Sequence, residues 1–244
     1  MIAELNPAAD RNSGTQLAVV IPVYNEENTI RSLVEDLHKM LQSEKISHRF
    51  IIVNDGSTDN SLPILETIAL SMPQLQIYTQ QNSGHGAALI AGYTRTVGSE
   101  WVFQTDSDYQ YDVYHLIELW RHRNQYHLLL AERTQRNASG LRNIATWLLR
   151  QLFNKVYGSG LHDVNSPYRL MRNAALQPAL KTIPPNTFTP NILIAGYFLI
   201  KGLAVCTTKI NLRENASSRK STMSPHILKG SFQSILRIIT HGVK

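Results

Sequence analysis

The sequence predicts an α/β fold with a mainly parallel central sheet and helices on both faces. Two observations carry that expectation. Apolar runs rich in Val and Ile alternate with segments of helical periodicity through the first half of the chain, as repeated βαβ units do. The runs are short and continuous, as strands buried on both faces are. A third observation bears on function. Acidic and amide residues recur just past the carboxyl ends of these strands, where open α/β sheets bind ligands.

Taken in order, "QLAVVIPVY" is the first strand. Asn25 reads as a helix N-cap, with Glu26 and Glu27 in the first turn. Ile30, Leu33, Val34, Leu37, Met40 and Leu41 then repeat at helical spacing. "RFIIVN" is a second strand and "NDGSTD" a turn. A helix is predicted over 60–70, with Pro63 tolerated near its start. "LQIYTQ" is a third strand, "SGHG" a glycine turn and "AALIAGYTRTV" a helix. "WVFQTD" is a fourth strand. A helix over 113–124 leads to a fifth, "YHLLLAE".

Beyond Arg133 the alternation loosens. "LRNIATWLLRQLFNKVYG" reads as a helix. "HDVNSPYRLMR" reads as a loop or short edge strand, because Pro167 opposes a central one. "TPNILIAGYFLIKG" is a helix ending at Gly202, and "LAVCTTKINL" a strand. "RENASSRKSTMSP" reads as a loop, and 227–239 as an amphipathic helix. The expected organisation is a polar lead-in over 1–15, one domain over 16–222 and an amphipathic tail over 223–244.

A hydrophobic content of 43% with 17% charged residues excludes a disordered chain. The single cysteine, Cys206, has no internal partner, which favours a reducing, cytoplasmic setting. The first twenty residues lack the apolar core of a signal peptide. The longest apolar stretch, "NILIAGYFLIKGLAV", is short for a bilayer and interrupted by Lys201, so no transmembrane anchor is expected. A net charge of +6 favours anionic partners. Nucleic acid ranks lowest among them, since no basic run interleaved with aromatics, helix-turn-helix or zinc spacing occurs.

Asn25 and Glu26 follow the first strand, Asn54 and Asp55 end the second, and Asp106 and Asp108 end the fourth. Singly, such residues fill ordinary turns. Three sets on one rim point to a site. Two carboxylates in D-x-D can aim at one hard cation, Mg2+ or Mn2+, that completes its shell with water and substrate phosphates. Such an ion neutralises a diphosphate leaving group. "NSGHGAALIAGY" is not a dinucleotide fingerprint, because Leu89 stands in the third glycine's place, and no P-loop G-K-[ST] is present. Its two glycines make a tight strand-to-helix turn, and Gly86 would let the backbone approach a ligand. His85 reads as a polar loop residue.

"VVIPVYNEE", "VNDGSTD", "NSGHGAALIAGY", "QTDSDYQYD" and "DVNSPYRLMR" appear in the order expected of family 2 glycosyltransferases with the GT-A fold. Over about residues 17–220 the chain resembles in particular the dolichyl-phosphate mannose synthase-like, or polyprenyl-phosphate glycosyltransferase, group. The resemblance implies roles. Pro22, Tyr24 and Glu26 would line the nucleotide pocket, and Asp55 would contact base or ribose. Asn54 stands where the family commonly has another Asp. Asp106 and Asp108 would hold the metal and diphosphate, with Gln110 on the sugar or phosphate side. Asp163 and Arg169 would lie on the acceptor side. Arg213, Ser218, Arg219 and Lys220 match a basic loop after the last strand.

The implied reaction is an inverting transfer from a nucleoside diphosphate sugar to a polyprenyl phosphate at the cytoplasmic membrane face. A lipid phosphate is already an anion and needs cations to orient it, for which Arg133 and Arg136 also offer themselves. A hydroxyl acceptor would need a base, with Asp163 the main candidate. A nucleotide-sugar-binding protein without transferase activity is the third reading. In the tail, Leu228, Phe232, Ile235, Leu236 and Ile239 share one helical face, which suits a membrane interface or a protein surface.

Overall fold

Alternating side-chain direction along one continuously apolar strand sets the layering of the molecule. In the strand Thr15–Val23, Leu17, Val19, Ile21 and Val23 join one core cluster, while Ala18 and Val20 join another. A period of two puts these sets on opposite faces. The computed structural model describes residues 3–5, 14–133, 140–158 and 160–213.

The elements are β1 (Ala3–Leu5), β2 (Thr15–Val23), α1 (Ile30–Ser43), β3 (His48–Asn54), α2 (Ser61–Ala69), β4 (Leu75–Thr79), α3 (His85–Tyr93) and β5 (Ser99–Gln104). They continue as α4 (His115–His122), β6 (Leu128–Arg133), α5 (Gly140–Tyr157), β7 (Arg169–Arg172), α6 (Asn173–Leu180), α7 (Pro190–Ile200) and β8 (Val205–Ile210). The strands form one sheet in the order β1-β4-β3-β2-β5-β7-β6-β8. β4, β3, β2 and β5 run parallel. β7 lies antiparallel between β5 and β6, and β6 pairs parallel with β8.

Leu33, Val34 and Leu37 of α1, Leu65 of α2 and Leu116 of α4 cover one face. Leu89 and Tyr93 of α3, Phe153 of α5, Leu176 of α6 and Ile192, Ile194 and Phe198 of α7 cover the other. The expected α/β architecture, with a mainly parallel sheet between two helical layers, is what the structure has. Register then aligns the strand ends. Val23 pairs with Asn54, Asn54 with Thr79, and Val20 with Gln104. The loops leaving β2, β3, β4 and β5 therefore open on a common rim.

Three local expectations are corrected, and one helix is added. The lead-in contains β1, which pairs antiparallel with β4. Asn25 is not a helix cap: it sits at φ 56°, and α1 starts only at Ile30, after Thr29. The segment after Pro167 is an interior strand, β7, not a loop or edge. Pro167 precedes the ladder, so it removes none of its hydrogen bonds. Asn173–Leu180 is a helix that the sequence reading left unassigned. Buried Asn173 ties its start to β5 through Nδ2 bonds to Thr96 O (2.7 Å) and Ser99 O (2.8 Å).

Candidate functional site

On that rim lies a cleft of about 850 Å³, within the usual range for small-molecule sites. Pro22, Tyr24, Glu26, Asp55, Gly86, Asp106 and Asp108 all line it. The structure thus brings together seven of the residues singled out from sequence. Asn82, Ser83, His85, Asn186, Thr187 and Phe188 also line it.

The first two loops are stitched to each other. Asn25 turns the chain in the left-handed region, which Asn tolerates better than most residues. Its Oδ1 accepts from Thr58 N at 2.8 Å, and its N–H donates to Ser57 Oγ at 3.1 Å. Glu27 N donates to Asp59 Oδ2 (3.1 Å), and Glu27 Oε2 accepts from Asn60 N (2.9 Å). For Asp59, burial pushes the carboxyl up, but hydrogen bonds from Ser61 and the Glu27 N–H outweigh it and leave the group below its ordinary value. Asn54 is buried, and its Oδ1 accepts from Ser57 N at 3.2 Å. It closes the 54–57 turn and does not line the cleft.

Asp55 is only 3% exposed. Its Oδ1 accepts from Gln80 Nε2 (2.7 Å) and Ser83 N (2.9 Å), and its Oδ2 from Gly84 N (2.9 Å). One carboxylate therefore fixes the turn that delivers the N-terminus of α3 to the cleft. Gly86 answers to the protein's own backbone: a Cβ there would come within 2.1 Å of Thr187 O and 2.5 Å of Phe188 O. Its missing side chain lets the 186–188 loop close over α3.

Asp106 and Asp108 are held from different sides. Gln104 Nε2 donates to Asp106 Oδ1 at 3.3 Å, and His85 Nε2 lies 3.6 Å from the same oxygen. Fully buried Gln104 is itself fixed by Asn191 Nδ2 at 3.0 Å, and Tyr93 Oη donates to Asn191 Oδ1 at 2.8 Å. Between the aspartates, Ser107 O accepts from Thr29 Oγ1 at 2.8 Å. Gln110 Nε2 donates to Asp108 Oδ2 at 2.6 Å.

Tyr109, between Asp108 and Gln110, has φ 51°, a conformation that costs a bulky residue about 1–3 kcal/mol. Its Oη donates to Asp36 Oδ2 at 2.6 Å, and the Arg213 guanidinium lies 3.6 Å over its ring centroid. Burial, then the bond to and charge of Asp36, raise the phenol well above its ordinary value, so it stays a donor.

Among the described residues no group of three or more His, Cys, Asp or Glu side chains could hold a metal ion. Two carboxylates beside an amide, facing an open cleft, nevertheless fit a hard cation whose remaining ligands are water and substrate phosphates. They do not form an all-protein cage.

The acceptor-side expectations fare differently. Arg169 has no exposed surface. Its guanidinium donates to Ser166 O (2.7 and 2.9 Å), Val164 O (3.0 Å) and Asn191 O (3.0 Å). A buried cation must satisfy its donors, and this one spends them on backbone carbonyls. With no exposed surface, Arg169 braces the 163–169 turn. Asp163 is 4% exposed, and it too is absent from the cleft wall. Arg133 ends β6, which runs parallel to β5 two strands away, so it sits on the same rim. Its side chain lies outside the described part of the structure. Arg136, Ser218, Arg219, Lys220 and the 223–244 tail also lie outside the described residues. No helix among the described residues is long and apolar enough to cross a membrane.

Sequence reasoning missed the 186–188 wall and underrated His85. "PPNTF" offered a signal: a proline pair followed by Asn, Thr and an aromatic, ahead of a helical stretch.

Residues 18–178 match the model of glycosyl transferase family 2. The chain belongs to that family. Relatives named undecaprenyl-phosphate 4-deoxy-4-formamido-L-arabinose transferase occur in Proteus mirabilis and Photorhabdus laumondii. The first is 28% identical over 178 residues, covering 72% of this chain and 54% of the relative. The second is 26% identical over 212 residues, covering 85% and 64%. The chain spans about half to two thirds of the length of the curated relatives it matches. Glucosyl-3-phosphoglycerate synthase from Mycobacterium tuberculosis, solved with Mn2+, UDP-glucose and phosphoglyceric acid, superposes with a TM-score of 0.66 at 20% identity. That match covers 94% of this chain and 80% of the synthase. The likeness shows the fold, GT-A, and this family 2 glycosyltransferase adopts it.

Proposed function

We propose that this glycosyltransferase moves a sugar, with inversion, from a nucleoside diphosphate sugar to a polyprenyl phosphate at the cytoplasmic membrane face. Asp106 and Asp108 would hold a divalent cation, Mg2+ or Mn2+. The observation that carries the reading is the convergence of the D-x-D carboxylates, the Asp55-held turn and the N-terminus of α3 on one cleft. The names of the two undecaprenyl-phosphate transferases support the acceptor.

Pro22, Tyr24 and Glu26 bound the side of the cleft next to the Asp55 turn, where the nucleoside would sit. The N-terminus of α3 opens on the same space and favours the negative diphosphate. The cation, when bound, neutralises charge developing on the departing diphosphate. Asp108, held by Gln110 from outside the cleft wall, would orient the donor between that diphosphate and the sugar. An acceptor phosphate needs no base, only cations to align it. Asp163, the expected base for a hydroxyl acceptor, does not line the cleft, which favours the phosphate.

The test supplies purified protein with a panel of labelled sugar nucleotides, Mg2+ or Mn2+, and undecaprenyl phosphate. Label should move into an organic-extractable, acid-labile product. Asp106→Asn and Asp108→Asn should each lower turnover on the order of 100-fold or more. A wholly water-soluble product in the presence of lipid phosphate, or turnover that survives chelation, would overturn the reading.

A further inference from the structure

Asp108 lines the cleft, and Gln110 Nε2 reaches its Oδ2 across one intervening residue. That residue sets how the two side chains meet. At φ 51°, Tyr109 turns the chain sharply, and the turn closes with Gln110 Nε2 on Asp108 Oδ2 at 2.6 Å. A bulky residue holds this conformation only where its surroundings over-determine it.

Two such restraints are present, from distant parts of the chain. Asp36 of α1 accepts the Tyr109 hydroxyl at 2.6 Å. Arg213 lies flat over the ring at 3.6 Å from its centroid, a cation–π contact. The same segment is pinned by its backbone: Arg213 N donates to Gln110 O at 2.9 Å, and Tyr111 bridges Leu212. Arg213, expected from sequence to touch substrate, is absent from the cleft wall.

We propose that Tyr109 is the positioning residue of the Asp108–Gln110 pair, clamped between Asp36 and Arg213, and that the clamp ties the cation-binding loop to the chain leaving β8. The proposal rests on the reading of Asp106 and Asp108 as cation ligands. Loosening the clamp should let the two side chains separate and weaken cation binding, while the core, which Tyr109 touches only at its edge as a partly buried residue, stays folded.

The experiment titrates Mn2+ alone into the full chain, reading free Mn2+ by electron paramagnetic resonance and folding by thermal melting. Tyr109→Phe removes the Asp36 bond, Arg213→Leu removes the stack, and Tyr109→Gly removes both while relieving the backbone. The first two should weaken Mn2+ binding about 3-fold, and Tyr109→Gly about 10-fold or more. Asp36→Asn keeps an acceptor oxygen and should bind nearly as the parent does, whereas Asp36→Leu should behave like Tyr109→Phe. Adding Arg213→Leu to Tyr109→Gly should cost nothing more, because the partner is already gone.

Parent-like Mn2+ affinity in Tyr109→Gly would overturn the clamp, as would Asp36→Asn failing as badly as Asp36→Leu. A loss of affinity that merely follows a loss of melting temperature would mark Tyr109 as ordinary packing and also reject it. If the parent chain takes up no Mn2+ either alone or with a panel of nucleoside diphosphates present, the cation reading fails and the clamp proposal with it.

Discussion

Replacing Asp55 with Ala tests whether one carboxylate holds the donor-side turn. The side chain is 3% exposed and accepts three hydrogen bonds, from Gln80 Nε2, Ser83 N and Gly84 N. Bonds to a charged acceptor contribute about 1.5–3 kcal/mol each. The full sum is an upper bound, since the 80–84 loop lies at the rim and can turn its N–H groups to water. A loss of about 3 kcal/mol follows, roughly what two of the three bonds contribute. For a chain of this size each kcal/mol lowers the melting temperature by about 2–4 °C, so a fall of ~6–12 °C is expected. Asp55→Asn should do little better, because its NH2 group would face a backbone N–H. Urea unfolding and sugar-nucleotide binding are the assays. The bond ledger would be refuted by a stability loss below about 0.5 kcal/mol. A destabilised variant that still binds sugar nucleotides at parental affinity would refute the link between turn and cleft.

Three further outcomes are expected. Gly86→Ala should cost about 2 kcal/mol or more and weaken nucleotide binding, since its Cβ meets backbone oxygens at 2.1 and 2.5 Å; unchanged melting would show that the 186–188 loop yields freely. Arg169→Lys should destabilise by about 3 kcal/mol while leaving the KM for acceptor unchanged in the folded fraction; a raised KM with parental stability would restore it to the acceptor site. His38 Nδ1 and His48 Nε2 lie 2.9 Å apart, and burial first of all holds both imidazoles below their ordinary value. The folded state therefore favours the neutral pair. Below the unfolded value of about 6.5 the unfolded chain binds more protons, so stability is full above that pH and declines as pH falls toward the depressed folded values. The urea midpoint should drop between pH 7.5 and 5.5, and by less in His38→Gln; equal drops would refute the assignment.

The layering was legible because the inner strands carry short continuous apolar runs, as strands covered on both faces do. The carboxylates of the site were legible because strand ends in open α/β sheets share a rim, so Asp55, Asp106 and Asp108 needed only the order of the strands to converge. What stayed hidden depends on contacts between residues remote in sequence. Nothing near Arg169 announces that Val164, Ser166 and Asn191 turn carbonyls toward it. Gly86 showed a need for space but not which atoms would fill it. Asn25 looked like a cap because Asn favours both caps and left-handed turns, and only Ser57 and Thr58 across the rim decide between them. Pro167 argued against an interior strand, yet the ladder begins two residues after it.

The closing of the cleft by residues 186–188 sets a lower bound on the piece of chain that can work. The stretch that defines the family ends at residue 178, short of that wall. Cutting there would strip the carbonyl roof from α3, remove Asn191 from Gln104 and so from behind Asp106, and take away β8, the neighbour of β6. Any excised catalytic unit must therefore run at least through β8, which ends at Ile210, and one trimmed to the recognisable motifs would keep every acidic signature yet present them on an open, one-sided shelf.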